Sequence, residues 1–370
     1  MNTTGNILCP LCSARDPQIT LLSYPLFRHM DFSVFHTGPN RIGHCRTCHL
    51  VFRITDTEEQ EVIDAMYTGE EYLRHEEPHT LIIPGHDKPV PLSCVQAGLL
   101  SPLFAGTDIS VLDIGCFDGK LLTEIEKVSH ASVLCGFDVR ERLQYPRGPA
   151  FRFFSGSLET VHGCFDWILM SHSLQYIHDM YSLFSHIRRL LKPDGRLFIH
   201  VPDFSAKPAT LLLGDLYYHY TPAILGTILR RMGFKPCPLE NDCFPRDILV
   251  TASQRNHQGC CVDEADTHFE TGLAYLAGLA EGLNALEISG SMGVLGTTID
   301  AAFSEYCLGN RASFFVDENP GKTGAFFHGK PVLHPRSLQE RDVVVIPMGK
   351  SGEIIRQRFS RHYSGTYVCV

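Results

Sequence analysis

The sequence predicts an α/β protein in three parts: a doubly wound, parallel-sheet domain in the middle, a metal-binding segment before it and a second α/β unit after it. Three observations carry this. Short apolar runs alternate with helical patterns over residues 101–255, which is how a parallel sheet covered by helices on both faces reads. Two C-x-x-C pairs stand within residues 1–100, where there is little periodicity. A polar stretch then leads into a further alternation of helix and strand over residues 256–370.

Size and composition agree with such a chain. Its 370 residues are too many for one ordinary domain, and 44% hydrophobic with 20% charged residues is the make-up of a soluble globular protein. A net charge of −9 disfavours a protein built to grip nucleic acid or an anionic membrane. No apolar run reaches the roughly 18–20 residues of a membrane span, and the N-terminus has no signal-peptide pattern. A cytoplasmic location is expected, with no nucleic-acid or membrane partner.

In the middle domain the expected strands are Ser110–Ile114, Ser132–Asp138, Phe151–Ser155, Trp167–Ser171 and Arg196–Val201. His75–Pro91, rich in Pro and His, reads as a connecting loop, and Thr251–Thr267 as a linker. Beyond it a helix is expected from His268 to Leu286, then a short strand ending near Ser289. A turn carrying Gly290, Gly293 and Gly296 follows, then another helix and strands at Ser313–Asp317 and Asp342–Ile346.

Cys9-Pro-Leu-Cys12 and Cys45-Arg-Thr-Cys48 can each form a tight turn presenting two thiolates. Together they supply the four soft ligands of a tetrahedral Zn2+, with a hairpin over Leu21–Thr37 filling the gap. Four cysteine ligands leave no open position, so the expected zinc is structural. Fourteen cysteines in a chain this long do not make a disulfide framework, and in a reducing compartment paired C-x-x-C reads as metal binding first.

Val111–Leu122 is the most informative stretch. A buried strand ends in Asp113, and Gly115 and Gly119 turn the chain into a helix near Lys120. Glycines let the backbone approach a ligand, and the helix start offers unpaired N–H groups. A second strand then ends in Asp138, where a carboxylate can accept from both hydroxyls of a ribose. A nicotinamide site is disfavoured: the third glycine of G-x-G-x-x-G is missing, and Asp118 stands where a pyrophosphate would approach.

Asp-Ile-Gly-Cys-Phe-Asp-Gly (Asp113–Gly119) resembles the first motif of class I S-adenosylmethionine-dependent methyltransferases, with Asp138 at the ribose-binding acid. Gly156-Ser157-Leu158 resembles their adenine contact, Phe165–His178 the fourth strand and the segment after it, and Leu190–Leu197 the turn into the fifth strand. The likeness covers about residues 101–235. It implies a Rossmann-like methyltransferase domain that binds S-adenosyl-L-methionine through Asp113, Gly115, Cys116, Gly119, Asp138, Ser157, Leu158 and Ser171. Tyr67 and Tyr72 resemble the aromatic lead-in that covers the cofactor in zinc-headed relatives, and Tyr72 is the cofactor-binding candidate of the two.

The zinc-binding head and the tail, Val316–Gly324 followed by Gly329–Val332, resemble the C-methyltransferases of deoxysugar biosynthesis. There a second, Rossmann-like domain follows the catalytic one. The resemblance implies a small-molecule acceptor, a nucleotide-linked sugar or another secondary metabolite. The chain departs from that family at one point. Asp215 and Leu216 stand where those enzymes carry a Glu-His pair, so the family's base is not matched. Asp242–Asp247 replaces a later His-Gly-Gly-Ser-Leu-Arg stretch.

Methyl transfer needs an acceptor held near the sulfonium methyl and, for O–H or C–H acceptors, a group to take a proton. The candidates are His219, His172 and Tyr218. The alternatives are an O- or N-methyltransferase acting on another metabolite or a carrier-bound intermediate, and a non-catalytic scaffold using its zinc ribbon for binding.

Overall fold

The computed structural model describes residues 7–15, 17–36, 40–70, 72, 80–81, 89–104, 108–141, 145–240, 242–254, 267–288 and 290–370. The head contributes β1 (Gln18–Leu22), β2 (Leu26–Phe27), β3 (Val34–His36), β4 (Asn40–His44), β5 (Val51–Arg53) and α1 (Thr57–Thr68). The helix starts at a reciprocal capping box, with Asp56 accepting from the Glu59 backbone and Glu59 accepting from the Asp56 backbone. β2 and β3 form the hairpin expected over Leu21–Thr37. Of the expected loop His75–Pro91, residues 75–79 and 82–88 lie outside the described residues. β6 (Thr80–Leu81) and β7 (Val90–Pro91) pair antiparallel within it.

The middle of the chain follows with α2 (Leu92–Leu100), β8 (Ile109–Ile114), α3 (Lys120–Val128), β9 (Ala131–Asp138), β10 (Phe151–Ser155), β11 (Phe165–Ser171), α4 (Met180–Leu190) and β12 (Leu191–Pro202). After these come β13 (Tyr218–His219), α5 (Pro222–Arg231), β14 (Phe234–Pro238) and β15 (Asp247–Gln254). Seven strands form one sheet in the order β10-β9-β8-β11-β12-β15-β14. The five expected strands are its parallel part, and β11 and β12 run longer than expected. β15 is antiparallel to both β12 and β14. This final pair was not expected. Its second strand takes residues 251–254 from the expected linker, whose residues 255–266 lie outside the described ones. Ile248–Ala252 is apolar enough for a buried strand, but only pairing with β12 makes it one.

The third part holds α6 (His268–Ala285), β16 (Met292–Leu295), α7 (Ile299–Leu308), β17 (Ala312–Val316), β18 (Phe326–Phe327), β19 (Lys330–Leu333), β20 (Val343–Ile346), α8 (Gly349–His362) and β21 (Thr366–Cys369). Its sheet runs β18-β19-β17-β16-β20-β21, with all pairs parallel except β18 on β19. The chain thus winds outward from β16 in one direction and then the other, as in doubly wound sheets. The expected short strand ending near Ser289, itself outside the described residues, lies instead at Met292–Leu295. Gly293 is therefore inside a strand, and the turn into the helix is made at Gly296, where φ is +90°.

The parts are interlocked. β13, from the middle of the chain, is the last strand of the head sheet, order β1-β4-β5-β13. One buried cluster runs from Cys9, Leu11, Cys45 and Cys48 into one face of the seven-stranded sheet. Another joins Phe27 and Ile42 of the head to Phe204–Leu216, α6 and the third sheet. No helix among the described residues is long and apolar enough to cross a membrane.

Candidate active site

The site is built at the C-terminal edge of β8 and β9. β8 is buried along its whole length and ends on Asp113 and Ile114. Gly115 then takes φ +79°, and a Cβ there would lie 2.5 Å from the Ser173 Cβ, so no other residue fits. Gly119, at φ +73°, caps the amphipathic α3. Phe117 donates its backbone N–H to Asp138 Oδ2 at 2.9 Å, which ties the turn to the end of β9. Asp113 and Asp138 are both 2% exposed. Burial, and then the neighbouring Asp138, pushes the Asp113 carboxyl up to about 7, and Asp113 Oδ1 has no hydrogen-bond partner. A buried acid in that state suits a cationic ligand group. The Cys116 thiol is buried beside these acids and held well above the usual thiol range, first by burial.

Tyr72 closes this end. Its hydroxyl lies 3.3 and 3.4 Å from the two Asp138 oxygens, and its ring meets Phe117 at 5.5 Å. Tyr67 packs edge-on to Tyr72 at 5.4 Å and against Tyr176 at 5.3 Å. On the outer side of β9, Gly156 has open space, Ser157 accepts from the Glu159 backbone at 3.3 Å, and Leu158 packs on the core.

The row of rings leads to Asp215. Its Oδ2 accepts from the Tyr67 hydroxyl at 2.6 Å and the His29 backbone at 3.1 Å, while Oδ1 is buried without a partner. Burial raises this carboxyl above its usual range. Asp215 and Leu216, the two residues that depart from the expected Glu-His pair, are both buried.

Of the three catalytic candidates, only His172 stands at the C-terminal end of the parallel strands. It follows β11 directly, at φ +52°, a left-handed conformation costing a non-glycine residue about 1 kcal/mol or more. Its ring lies 4.2 Å from that of His200 on β12. Burial, then His200, holds His172 well below the usual imidazole range, so it is neutral near pH 7. Ser171 belongs to this group too: its Oγ accepts from Gln96 at 2.6 Å.

His219 and Tyr218 are placed differently from expectation. His219 is a buried residue of the head sheet, its ring 5.7 Å from Phe204, both ring nitrogens unpartnered, and burial pushes it down to about 3. Strand alternation explains this. Tyr218 and Tyr220 face the core beneath the central sheet, so His219 faces the opposite way. The Tyr218 hydroxyl is spent on the His178 carbonyl at 2.6 Å.

His29, Tyr176, His200 and Asp247 were not among the expected site residues. His200 carried a usable signal, since a histidine inside an apolar strand, Leu197–Val201, must be satisfied by something specific. The others carried none, because they come from three distant segments.

The four expected metal ligands do meet. The sulfurs of Cys9, Cys12, Cys45 and Cys48 all lie within 4.8 Å of one another, with Cys9–Cys48 and Cys12–Cys45 both at 3.5 Å.

Residues 94–237 match the family model described as a methyltransferase domain. A search of curated proteins gives no match. Among solved structures, an S-adenosylmethionine-dependent methyltransferase from Mesorhizobium loti is 19% identical, with 43% of this chain and 97% of that chain aligned at a TM-score of 0.36. The 1,6-didemethyltoxoflavin-N1-methyltransferase of Burkholderia thailandensis is 17% identical, with 59% of this chain and 96% of that chain aligned at a TM-score of 0.39.

Proposed function

We propose that this enzyme, which carries a methyltransferase domain at residues 94–237, transfers the methyl group of S-adenosyl-L-methionine to a small organic acceptor. The observation that carries the reading is the pair of buried acids at the ends of adjacent strands, Asp113 and Asp138, flanking a glycine turn whose Phe117 N–H holds Asp138 in place. In this reading Asp138 accepts from the ribose hydroxyls and Asp113 faces the cationic amino-acid end. Ser157 and Leu158 border the adenine, and Tyr72 lies over the sugar. Bound there, the cofactor supplies an electrophilic methyl on sulfur. The acceptor lies on the other side of Tyr67 and Tyr176, between His172 and Asp215. His172, neutral near pH 7, is the proton acceptor.

The acceptor class is a nucleotide-linked sugar or a related secondary metabolite. The support is Asp215, which keeps a carboxylate where the sugar C-methyltransferases keep a glutamate, and the zinc-headed plan of the chain. In the same reading residues 1–100, 101–255 and 256–370 are the zinc-binding, catalytic and second nucleotide-fold domains, and the protein works in the cytoplasm. The head holds one structural zinc. Tetrahedral thiolate at about 2.3 Å from zinc puts sulfurs roughly 3.8 Å apart, close to the two 3.5 Å pairs. No ligand position is left for chemistry.

Calorimetric titration with S-adenosylhomocysteine tests the cofactor half. Binding at one site per chain is expected; no binding by folded, zinc-loaded protein would refute it. A panel of nucleotide sugars and other hydroxylated or amino metabolites, read by S-adenosylhomocysteine release, tests the acceptor half.

A further inference from the structure

Behind His172 lies a polar cluster that methyl transfer as described does not use. His172, His200 and Asp247 bring their ligand-type atoms within 4.8 Å of one another, at the ends of β11, β12 and β15. His200 is completely buried. Its Nδ1 meets the Gln96 amide nitrogen at 2.8 Å, and the same amide reaches Ser171 Oγ. With that amide donating, the neutral His200 ring carries its hydrogen on Nε2, which lies 3.4 Å from Asp247 Oδ2. The contact is too poorly aligned to satisfy Nε2 as a hydrogen bond. Asp247 is ion-paired through its other oxygen with Lys207. His172 is fixed to the same strand end, its backbone N–H donating to the His200 carbonyl at 2.8 Å.

We propose that His200 and Asp247 are positioning residues for His172: they set its ring against the acceptor and compensate the positive charge it gains. This rests on the reading of His172 as the proton acceptor. As the acceptor's bond to the methyl carbon forms, the carbon–sulfur bond breaks and its electron pair stays on sulfur. The acceptor's proton passes to His172, which becomes an imidazolium and later releases the proton to water. That cation lies 4.2 Å, ring to ring, from His200, and the Asp247 carboxylate is the nearest negative charge behind it. A long Nε2–H contact can tighten as charge develops. The groups that face His172 are His200, Asp247, Lys207 and His29; only Asp247 favours its charged form. At rest Lys207 balances Asp247, so the cluster carries no net charge while both histidines are neutral. A divalent cation on the same three side chains would add two positive charges beside Lys207, which argues for a positioning pair over a metal site.

Nitrogen NMR of histidine-labelled, zinc-loaded protein saturated with S-adenosylhomocysteine tests this directly. In the wild type, His200 should keep the Nε2–H tautomer from about pH 5 to 9. Asp247→Asn should lower the proton affinity of His172 at least about threefold, with S-adenosylhomocysteine affinity within about twofold. Asp247→Ser should do the same and serves if Asp247→Asn does not fold. An unchanged His172 titration in either folded variant overturns the proposal. So does a metal-shifted His200 resonance together with a second metal equivalent per chain. With an acceptor from the panel, Asp247→Asn should reduce kcat about tenfold or more at nearly unchanged KM. His172→Gln separates the two layers. If it keeps normal turnover, the base reading fails; if it is impaired and Asp247→Asn is not, only the positioning pair fails.

Discussion

The molecule contains two sheets wound outward from a central strand, and each has an acid at the end of a strand or one residue beyond it at the corresponding place, yet their ends differ. In the central sheet Asp138 accepts from the turn's own N–H and lies 3.3 Å from the Tyr72 hydroxyl, and nearby Asp113 keeps an unpartnered oxygen. In the third sheet Asp317 follows β17, where Thr297 donates to it at 3.1 Å and Lys322 stands at 3.8 Å. The crevice between β16 and β20, where such sheets hold ligands, is spanned by Tyr275. Its hydroxyl donates to Asp300 at 2.9 Å and lies 3.2 Å from the Pro347 carbonyl, and its ring would lie 3.0 Å from a Cβ on Gly349. The winding supplies a place for a ligand; the side chains at the strand ends decide whether it is left available. The central crevice takes its lid, Tyr67 and Tyr72, from beyond its own sheet, whereas the third sheet is closed by the helix that precedes it.

The largest effect is expected from removing the anchor of the segment that carries Tyr67 and Tyr72. Cys45→Ser, or chelation, should unfold the head, because the proposed structural zinc would contribute on the order of 10 kcal/mol to folding of such a segment. Elemental analysis should find one zinc per native chain. S-adenosylhomocysteine affinity should collapse while residues 268–370 keep their protection from hydrogen exchange.

Next comes the pair of acids. Asp138→Ala should weaken S-adenosylhomocysteine binding tenfold or much more, since two charge-assisted bonds contribute about 1.5–3 kcal/mol each. Asp317→Ala should leave that affinity unchanged in the same titration. Equal losses would mean that the two ends are not as different as their side chains indicate.

The central crevice should also respond to pH. Asp113 is raised to about 7 in the folded chain, so the native state holds its proton where the unfolded state has lost it. By linkage, its contribution is fully present at low pH and is lost as pH rises from about 4 to about 7. Asp113→Asn should flatten the Tm of ligand-free protein over that range and stabilise it most above pH 7. S-adenosylhomocysteine, whose amino group supplies a cation, should reduce the difference.

The smallest effects concern residues away from the proposed cofactor site. Tyr275→Phe should lower stability by about 1 kcal/mol through its lost hydroxyl bonds and leave cofactor binding intact. His219→Gln should leave both cofactor affinity and the pH profile of turnover unmoved, since a ring held near 3 does not titrate in the working range. A tenfold loss of turnover with an unchanged fold would return His219 to the acceptor site.

What was legible in the sequence was local. The glycine turn, the acids at Asp113 and Asp138, the five parallel strands and the two C-x-x-C pairs all follow from contiguous patterns, because a turn that needs φ above zero or a buried strand must state its requirement within a few residues. Tertiary structure decided everything that depends on which face of a short strand looks where. His219 lies between two tyrosines in sequence, but the two-residue alternation of β13 turns it to the opposite side. Asp215 gains its setting from Tyr67 and His29, 148 and 186 residues away. His200 and Asp247 meet only because β15 returns antiparallel beside β12. Side chains that act together need to share a place, and no spacing along one chain encodes the distance between strands that pair through folding.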